Sequence, residues 1–346
     1  MRSGASRAGV RAAARARRAR RGGAAGGRQQ HGVVLVAVDI GVVGLGLIGG
    51  SVLRTCAVAG HRVRGHDAEA STRDEARSAG FDVADDAGAL RDADVLFLAV
   101  PLARLGSALD GLEGFGGLLT DVTSVKGRVA ELVARRCPRV RFVGGHPMAG
   151  KESNGFAAST DALFDGCSWV LTIDESTALD DWLALAATVC GLGARVVPTT
   201  SAAHDAAVAR VSHVPHLSAA ALALAADDPL ALSLAAGSFR DGTRVAASDP
   251  QLVAAMCSGN TAAVREALDA VIASLERARD ALPSGIAEWA RPASRIRRAW
   301  PPEAGEPTRI AARREDLLRW GNAGGWVTSI ARDGSIMAGQ PRRIMP

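Results

Sequence analysis

The chain has 346 residues, 48% of them apolar and 22% charged, an ordinary balance for a globular protein in water. No apolar run approaches the roughly 18 residues needed to cross a bilayer, so no membrane span is expected. The net charge of +5 belongs to the ends: residues 1–30 hold nine Arg and no acid, and residues 291–346 hold eleven Arg and five acids. The stretch between them carries 21 basic against 31 acidic residues, which argues against specific nucleic-acid binding.

Residues 1–36 are dominated by Arg, Ala and Gly and are expected to be a disordered tail, since low hydrophobicity and one-sided charge do not offset the entropy of ordering. A β-branched run at Ile40–Val43 then reads as a strand, and it stops at Gly44-Leu45-Gly46-Leu47-Ile48-Gly49. A helix ending near Gly60 and a strand over 62–65 follow, with Asp67 just beyond. This is a GxGxxG between a strand and a helix, with an acid about 20 residues on, the pattern that cradles a dinucleotide pyrophosphate. Gly44 permits the turn, Gly46 lets the phosphates approach the backbone, and Gly49 lets helix and strand pack. Leu47 and Ile48 open the helix whose N-terminus faces the phosphates. Asp67 suits both ribose hydroxyls and repels a 2′-phosphate, and Ala68 and Glu69 follow it, so NAD is expected over NADP.

Strand signals recur at 93–101, stopped by Pro101, at 116–127, and at 140–147, with a helix over 126–136 between the last two. Further strands are expected at 167–174 and 194–199, around a helix near 178–191. The alternation predicts an α/β fold, a Rossmann-type doubly wound parallel sheet over 37–198. Ligands of such sheets bind beyond the carboxyl ends of the strands. Pro101, Ser124 and His146, each placed just past a strand, are therefore expected to line one rim with the glycine turn. A histidine delivered by Gly144-Gly145 and stiffened by Pro147 suits proton transfer beside a nicotinamide.

From 199 to 283 the period becomes helical, and an all-helical C-terminal domain that packs as a dimer is expected. His213 and His216, three apart around Pro215, share a helix face; with no acid in register, no metal site is expected. Arg240, Asp241 and Arg244 lie in a glycine-interrupted segment, where an arginine can clamp a carboxylate with two parallel hydrogen bonds. Residues 284–346 are Pro-, Arg- and Gly-rich and are expected to be a loose tail, with a helix near 308–320. Five scattered cysteines without a CxxC suit a reducing, cytoplasmic setting.

Five motifs in order, GLGLIGGS (44–51), DVTSVKG (121–127), GGHPMAGKE (144–152), SHVPHLSA (212–219) and SFRDGTRVAASDP (238–250), resemble the prephenate/arogenate dehydrogenase family over roughly residues 38–282. The resemblance implies a dinucleotide-binding domain with a helical dimerisation domain. It implies NAD-dependent oxidative decarboxylation of prephenate to 4-hydroxyphenylpyruvate in tyrosine biosynthesis, with arogenate giving tyrosine as the alternative. It makes His146 the base for the substrate hydroxyl and Ser124 its hydrogen-bonding partner. Arg244 and His216 would bind substrate, Glu152 and Asp241 would tune or gate the pocket, and one of His216 and His213 would stand near the nicotinamide, His213 being counted with the cofactor-binding residues. A different hydroxy-acid or imine oxidoreductase on the same scaffold usually relies on a lysine in the helical domain. Both lysines here, Lys126 and Lys151, precede it.

Overall fold

The computed structural model describes residues 37–151, 153–331 and 333–342. The expected tail over 1–36 and the candidate Glu152 lie outside them. The chain opens with β1 (Asp39–Val43), α1 (Leu47–Ala59), β2 (Arg62–His66), α2 (Ala70–Ser78) and β3 (Asp82–Val83). It continues through β4 (Val95–Leu98), α3 (Leu102–Asp110), β5 (Leu118–Asp121), α4 (Gly127–Arg136) and β6 (Arg141–Val143). These strands form one sheet in the order β3-β2-β1-β4-β5-β6, with every pairing parallel. Its centre is apolar on both faces, as crossover helices require: all four residues of β4, Val-Leu-Phe-Leu, are buried. The strand order reverses between β1 and β4, which is where such folds bind ligands.

The stretch expected as a single strand over 140–147 is broken in two. After β6 the chain leaves the first sheet at Gly144 and enters a second one as β7 (Gly145–Pro147). A Cβ on Gly145 would come within 2.5 Å of the Asp121 carbonyl oxygen, and one on Gly144 within 2.8 Å of Thr172 Oγ1. The glycine pair is thus required by the close approach of two sheets. Pro147 is tolerated because β7 is an edge strand.

The strands expected at 167–174 and 194–199 likewise belong to the second sheet. They are β8 (Ser168–Thr172) and β9 (Arg195–Thr199), joined by α5 (Leu179–Gly191). β7 pairs antiparallel with β8, and β8 pairs parallel with β9. The two sheets share a core in which Phe97 of β4 meets Trp169 of β8 edge-on at 6.2 Å between ring centroids.

A helical run follows: α6 (Ser201–Val208), a π-helical turn (Ala209–His213) and α7 (Val214–Ala225). Pro215 has no N–H for the carbonyl four residues earlier, so the regular hydrogen-bond ladder is interrupted at this point and the helix widens just before it. Short helices α8 (Pro229–Ser233) and α9 (Gly237–Thr243) lead to a 3₁₀ turn (Arg244–Ala247). Then come α10 (Pro250–Gly259), α11 (Thr261–Ala281) and α12 (Ile286–Arg298). Ala209, Val214, Val264 and Ala267 form the small core of this region. Many of its large apolar side chains stay exposed, including Leu224, Leu230, Leu234 and Leu275.

Residues 284–346, expected as a loose tail, are corrected by the structure as far as residue 342. Beyond α12 lie β10 (Thr308–Ile310), α13 (Arg314–Asn322), β11 (Trp326–Ile330) and β12 (Ile336–Gly339). They extend the second sheet to β10-β12-β11-β9-β8-β7. Leu317, Val327 and Ile336 enter the same core as Leu185 and Val196. These strands are short, and β11 pairs with a strand some 130 residues earlier in the chain, a partner that local composition does not reveal.

Candidate active site

The glycine turn lies at the carboxyl end of β1. Gly44 has φ +93°, and its N–H donates to His66 O at 2.8 Å. A Cβ on Gly49 would land on Gly44 O, so α1 packs directly against the turn. Around Gly46 the opposite holds: an added Cβ would meet nothing within 4 Å. Helix α1 has no side-chain cap and no acid in its first turn, so its leading N–H groups and its positive dipole end are left to an external anion. This is a cradle that fits a pyrophosphate. Leu47 and Ile48 open that helix.

Asp67 stands just past β2, where its Oδ2 accepts the Leu45 N–H at 2.7 Å and its Oδ1 the Glu69 N–H at 2.9 Å. One neighbour was not anticipated. The Arg73 guanidinium donates to the Asp67 and Ala68 carbonyls at 2.8 and 2.9 Å and lies 3.5 Å from Asp85. Being anchored there, it neutralises the turn without facing outward as a phosphate clamp. Pro101 starts α3 beyond β4.

Ser124 sits half-buried on the turn after β5. That turn is held by a fully buried ion pair between Asp121 and Lys126. Lys126 Nζ also donates to Gly145 O at 2.5 Å, and Gly145 N–H donates to Asp121 Oδ1 at 3.1 Å. The pair therefore ties the Ser124 turn to the strand that carries His146. Burial pulls the Lys126 ammonium down from its usual range, and the Asp121 carboxylate opposes that pull.

His146 lies within β7, not beyond a strand of the first sheet, yet it reaches the seam between the sheets and the helical region. Its Nδ1 is 2.9 Å from His204 Nε2, with the rings edge-to-face at 5.1 Å. His204 Nδ1 is in turn 2.8 Å from Asp205 Oδ1. Asp205 also accepts the N–H groups of Lys126 at 2.8 Å and Gly127 at 2.9 Å, and so supplies α4 with the cap its own sequence lacks. Burial pushes the His146 imidazole well below its usual range, helped by His204, Lys126 and His213. Burial would raise the Asp205 carboxyl, but the bonds from His204, Lys126 and Gly127 outweigh it and hold the group below the usual carboxylate range. The base candidate is thus a neutral imidazole backed by a carboxylate two hydrogen bonds away.

His204 and Asp205 were not singled out from the sequence. The available signal is their place: a His-Asp pair in the first helical turn after β9, on the same rim as the other strand ends.

His213 is completely buried, its Nδ1 3.4 Å from the Asn260 amide, which also donates to Asp205 O. Its Nε2 has no hydrogen-bond partner among the described residues, and burial lowers its pKa. His216 faces another neighbour, with its Nδ1 3.2 Å from Val245 O. His213 closes the π-helical turn, and His216 lies beyond it in α7. Arg244 is exposed and adjoins that Val245 contact. Asp241 pairs with Arg240 at 3.3 Å in solvent and is not brought to the histidine cluster. Among the described residues no cluster of His, Cys, Asp and Glu has the arrangement of a metal site.

Residues 50–198 match the family profile described as prephenate dehydrogenase, nucleotide-binding domain, and residues 200–290 match prephenate dehydrogenase, dimerization domain. A prephenate dehydrogenase of Lactococcus lactis is 37% identical over 170 residues, a match spanning 46% of either chain, so it reaches about half of that relative's length. A cyclohexadienyl dehydrogenase of Zymomonas mobilis is 33% identical over 71% of this chain and 88% of its own. Among solved structures, prephenate dehydrogenase from Aquifex aeolicus in complex with hydroxyphenyl propionate and NAD+ is 25% identical, with a TM-score of 0.71, over 77% of this chain and 99% of that one.

Proposed function

This chain belongs to the prephenate dehydrogenase family, and we propose that it oxidises prephenate with NAD+, releasing carbon dioxide and 4-hydroxyphenylpyruvate. The observation that carries this is the neutral His146, backed by His204 and Asp205, on the rim that also holds the glycine cradle. When bound, NAD+ supplies the hydride acceptor for the carbon that bears the substrate hydroxyl. The protein supplies the rest. Gly44, Gly46 and Gly49 with the start of α1 hold the pyrophosphate, and Asp67 takes the ribose hydroxyls. Pro101 and His213 complete the nicotinamide side.

His146 removes the hydroxyl proton, and Ser124 orients that hydroxyl. Arg244 clamps a substrate carboxylate, and His216 lines the substrate side. Loss of the ring carboxylate makes the product aromatic, so the step runs one way. The exposed leucines of the helical region are covered by a second copy, which makes the enzyme a homodimer. Its five cysteines are free thiols, with Cys56 and Cys190 pushed by burial to about 12 and Cys167 to about 11, which suits a reducing, cytoplasmic setting.

The test is absorbance of reduced nicotinamide with purified protein, each of NAD+ and NADP+, and each of prephenate and arogenate. Turnover of prephenate with NAD+ is expected. Turnover of arogenate alone reassigns the side chain recognised. Silence in all four combinations, with NAD+ shown to bind, overturns the substrate assignment.

A further inference from the structure

The hydrogen-bond chain behind His146 has a direction, and the chemistry of its last member sets it. The Asp205 carboxylate only accepts hydrogen bonds, and it already accepts two from the backbone of Lys126 and Gly127. The His204 nitrogen 2.8 Å away is therefore the one that carries a hydrogen, Nδ1. A singly protonated imidazole then presents a lone pair at Nε2, and that atom faces His146 Nδ1 at 2.9 Å. His146 must donate there from Nδ1, which leaves its own lone pair at Nε2.

We infer that Asp205 and His204 are positioning residues that fix His146 as the Nδ1–H tautomer and then take over its charge. The O–H bond of the substrate breaks and its proton goes to His146 Nε2. The Nδ1–H of His146 passes to His204 Nε2. His146 is left neutral, and the imidazolium is His204, paired with Asp205. After product has left, the proton returns through His146 to water, restoring both rings. The surroundings favour this transfer. His146 faces Lys126, which is paired with Asp121 on the β5 side, and His213 on the π-helical turn; His216 lies further along the same helical run. A cation is disfavoured in that company, whereas His204 has a carboxylate within hydrogen-bond distance.

The proposal rests on His146 being the base, so its test includes a readout that needs no turnover. Nitrogen-15 histidine spectra of the wild-type protein without ligands distinguish the tautomers directly. His146 and His204 are both expected as Nδ1–H forms, and an Nε2–H form at His146 overturns the proposal whatever the substrate proves to be. Asp205→Asn can offer its amide N–H to His204 and reverse both rings. For that variant the expected result is an Nε2–H signal at His204, a kcat at least about a hundredfold lower, and KM and NAD+ affinity within about threefold of wild type. His204→Gln still accepts from His146 but holds no proton, and its kcat is expected to fall at least about tenfold at unchanged KM. Wild-type kcat in both variants, or a loss confined to KM, overturns the relay. Absence of turnover in the wild type with the expected tautomers present overturns the substrate assignment and leaves the relay standing.

Discussion

At the scale of single residues, the proton chemistry turns on the environment of one imidazole. His146 must be deprotonated at Nε2 to accept a proton. Burial, then His204, Lys126 and His213, disfavour its charged form and lower its pKa well below 6.5. His146→Asn removes the lone pair without touching the glycine cradle. It is expected to lower kcat at least about a hundredfold while leaving NAD+ affinity, measured by calorimetry, near wild type. The histidine was legible in the sequence because Gly-Gly and Pro mark a forced turn around it. Its partners were not, because His204 and Asp205 lie 58 and 59 positions further on, and only the packing of α6 against the β5 turn joins them.

At the scale of elements, the strand–glycine–helix unit was legible because its glycines are required by local geometry, and local geometry is written locally. The glycines nevertheless do different work. Gly46 faces open space, so Gly46→Ala is expected to leave the melting temperature within about a degree or two while weakening NAD+ binding at least about tenfold. Gly49 is packed on Gly44 O, a backbone atom that does not step aside, so Gly49→Ala is expected to destabilise the fold by about 1–3 kcal/mol. Equal melting temperatures for the two variants contradict that division. The break at Gly144-Gly145 was hidden for the converse reason. Seen along the chain, Val-Arg-Phe-Val-Gly-Gly-His-Pro is one apolar run, and only the approach of Asp121 and Thr172 shows that it serves two sheets. That break decides where the base points, since it hands His146 from the nucleotide-binding sheet to the edge of the second one.

At the scale of the whole molecule, the edge strand carrying His146 and the C-terminal strands are opposite margins of one sheet. Between them, Leu317, Val327 and Ile336 are fully buried against Val196 of β9 and Leu185 of α5. Arg314 adds two hydrogen bonds to the carbonyls of Asp174 and Thr177, holding the loop between β8 and α5. Burying a side chain of this size contributes about 1.5–3 kcal/mol, so three of them amount to about 4.5–9 kcal/mol, a large share of the roughly 5–15 kcal/mol that typically separates a folded domain from its unfolded chain. Ending the chain after residue 299 is therefore expected to lower the melting temperature by at least about 10 °C and to promote aggregation through the uncovered edge of β9. The loss should be one of stability before chemistry, because among the described residues beyond 299 none hydrogen-bonds to His146, His204 or Asp205. At low temperature the soluble fraction should keep its KM for NAD+, while activity decays faster on warming than that of the full chain. A truncated protein that melts with the full-length one would return this segment to the status of a tail, and the second sheet would then have to be stable on β7, β8 and β9 alone.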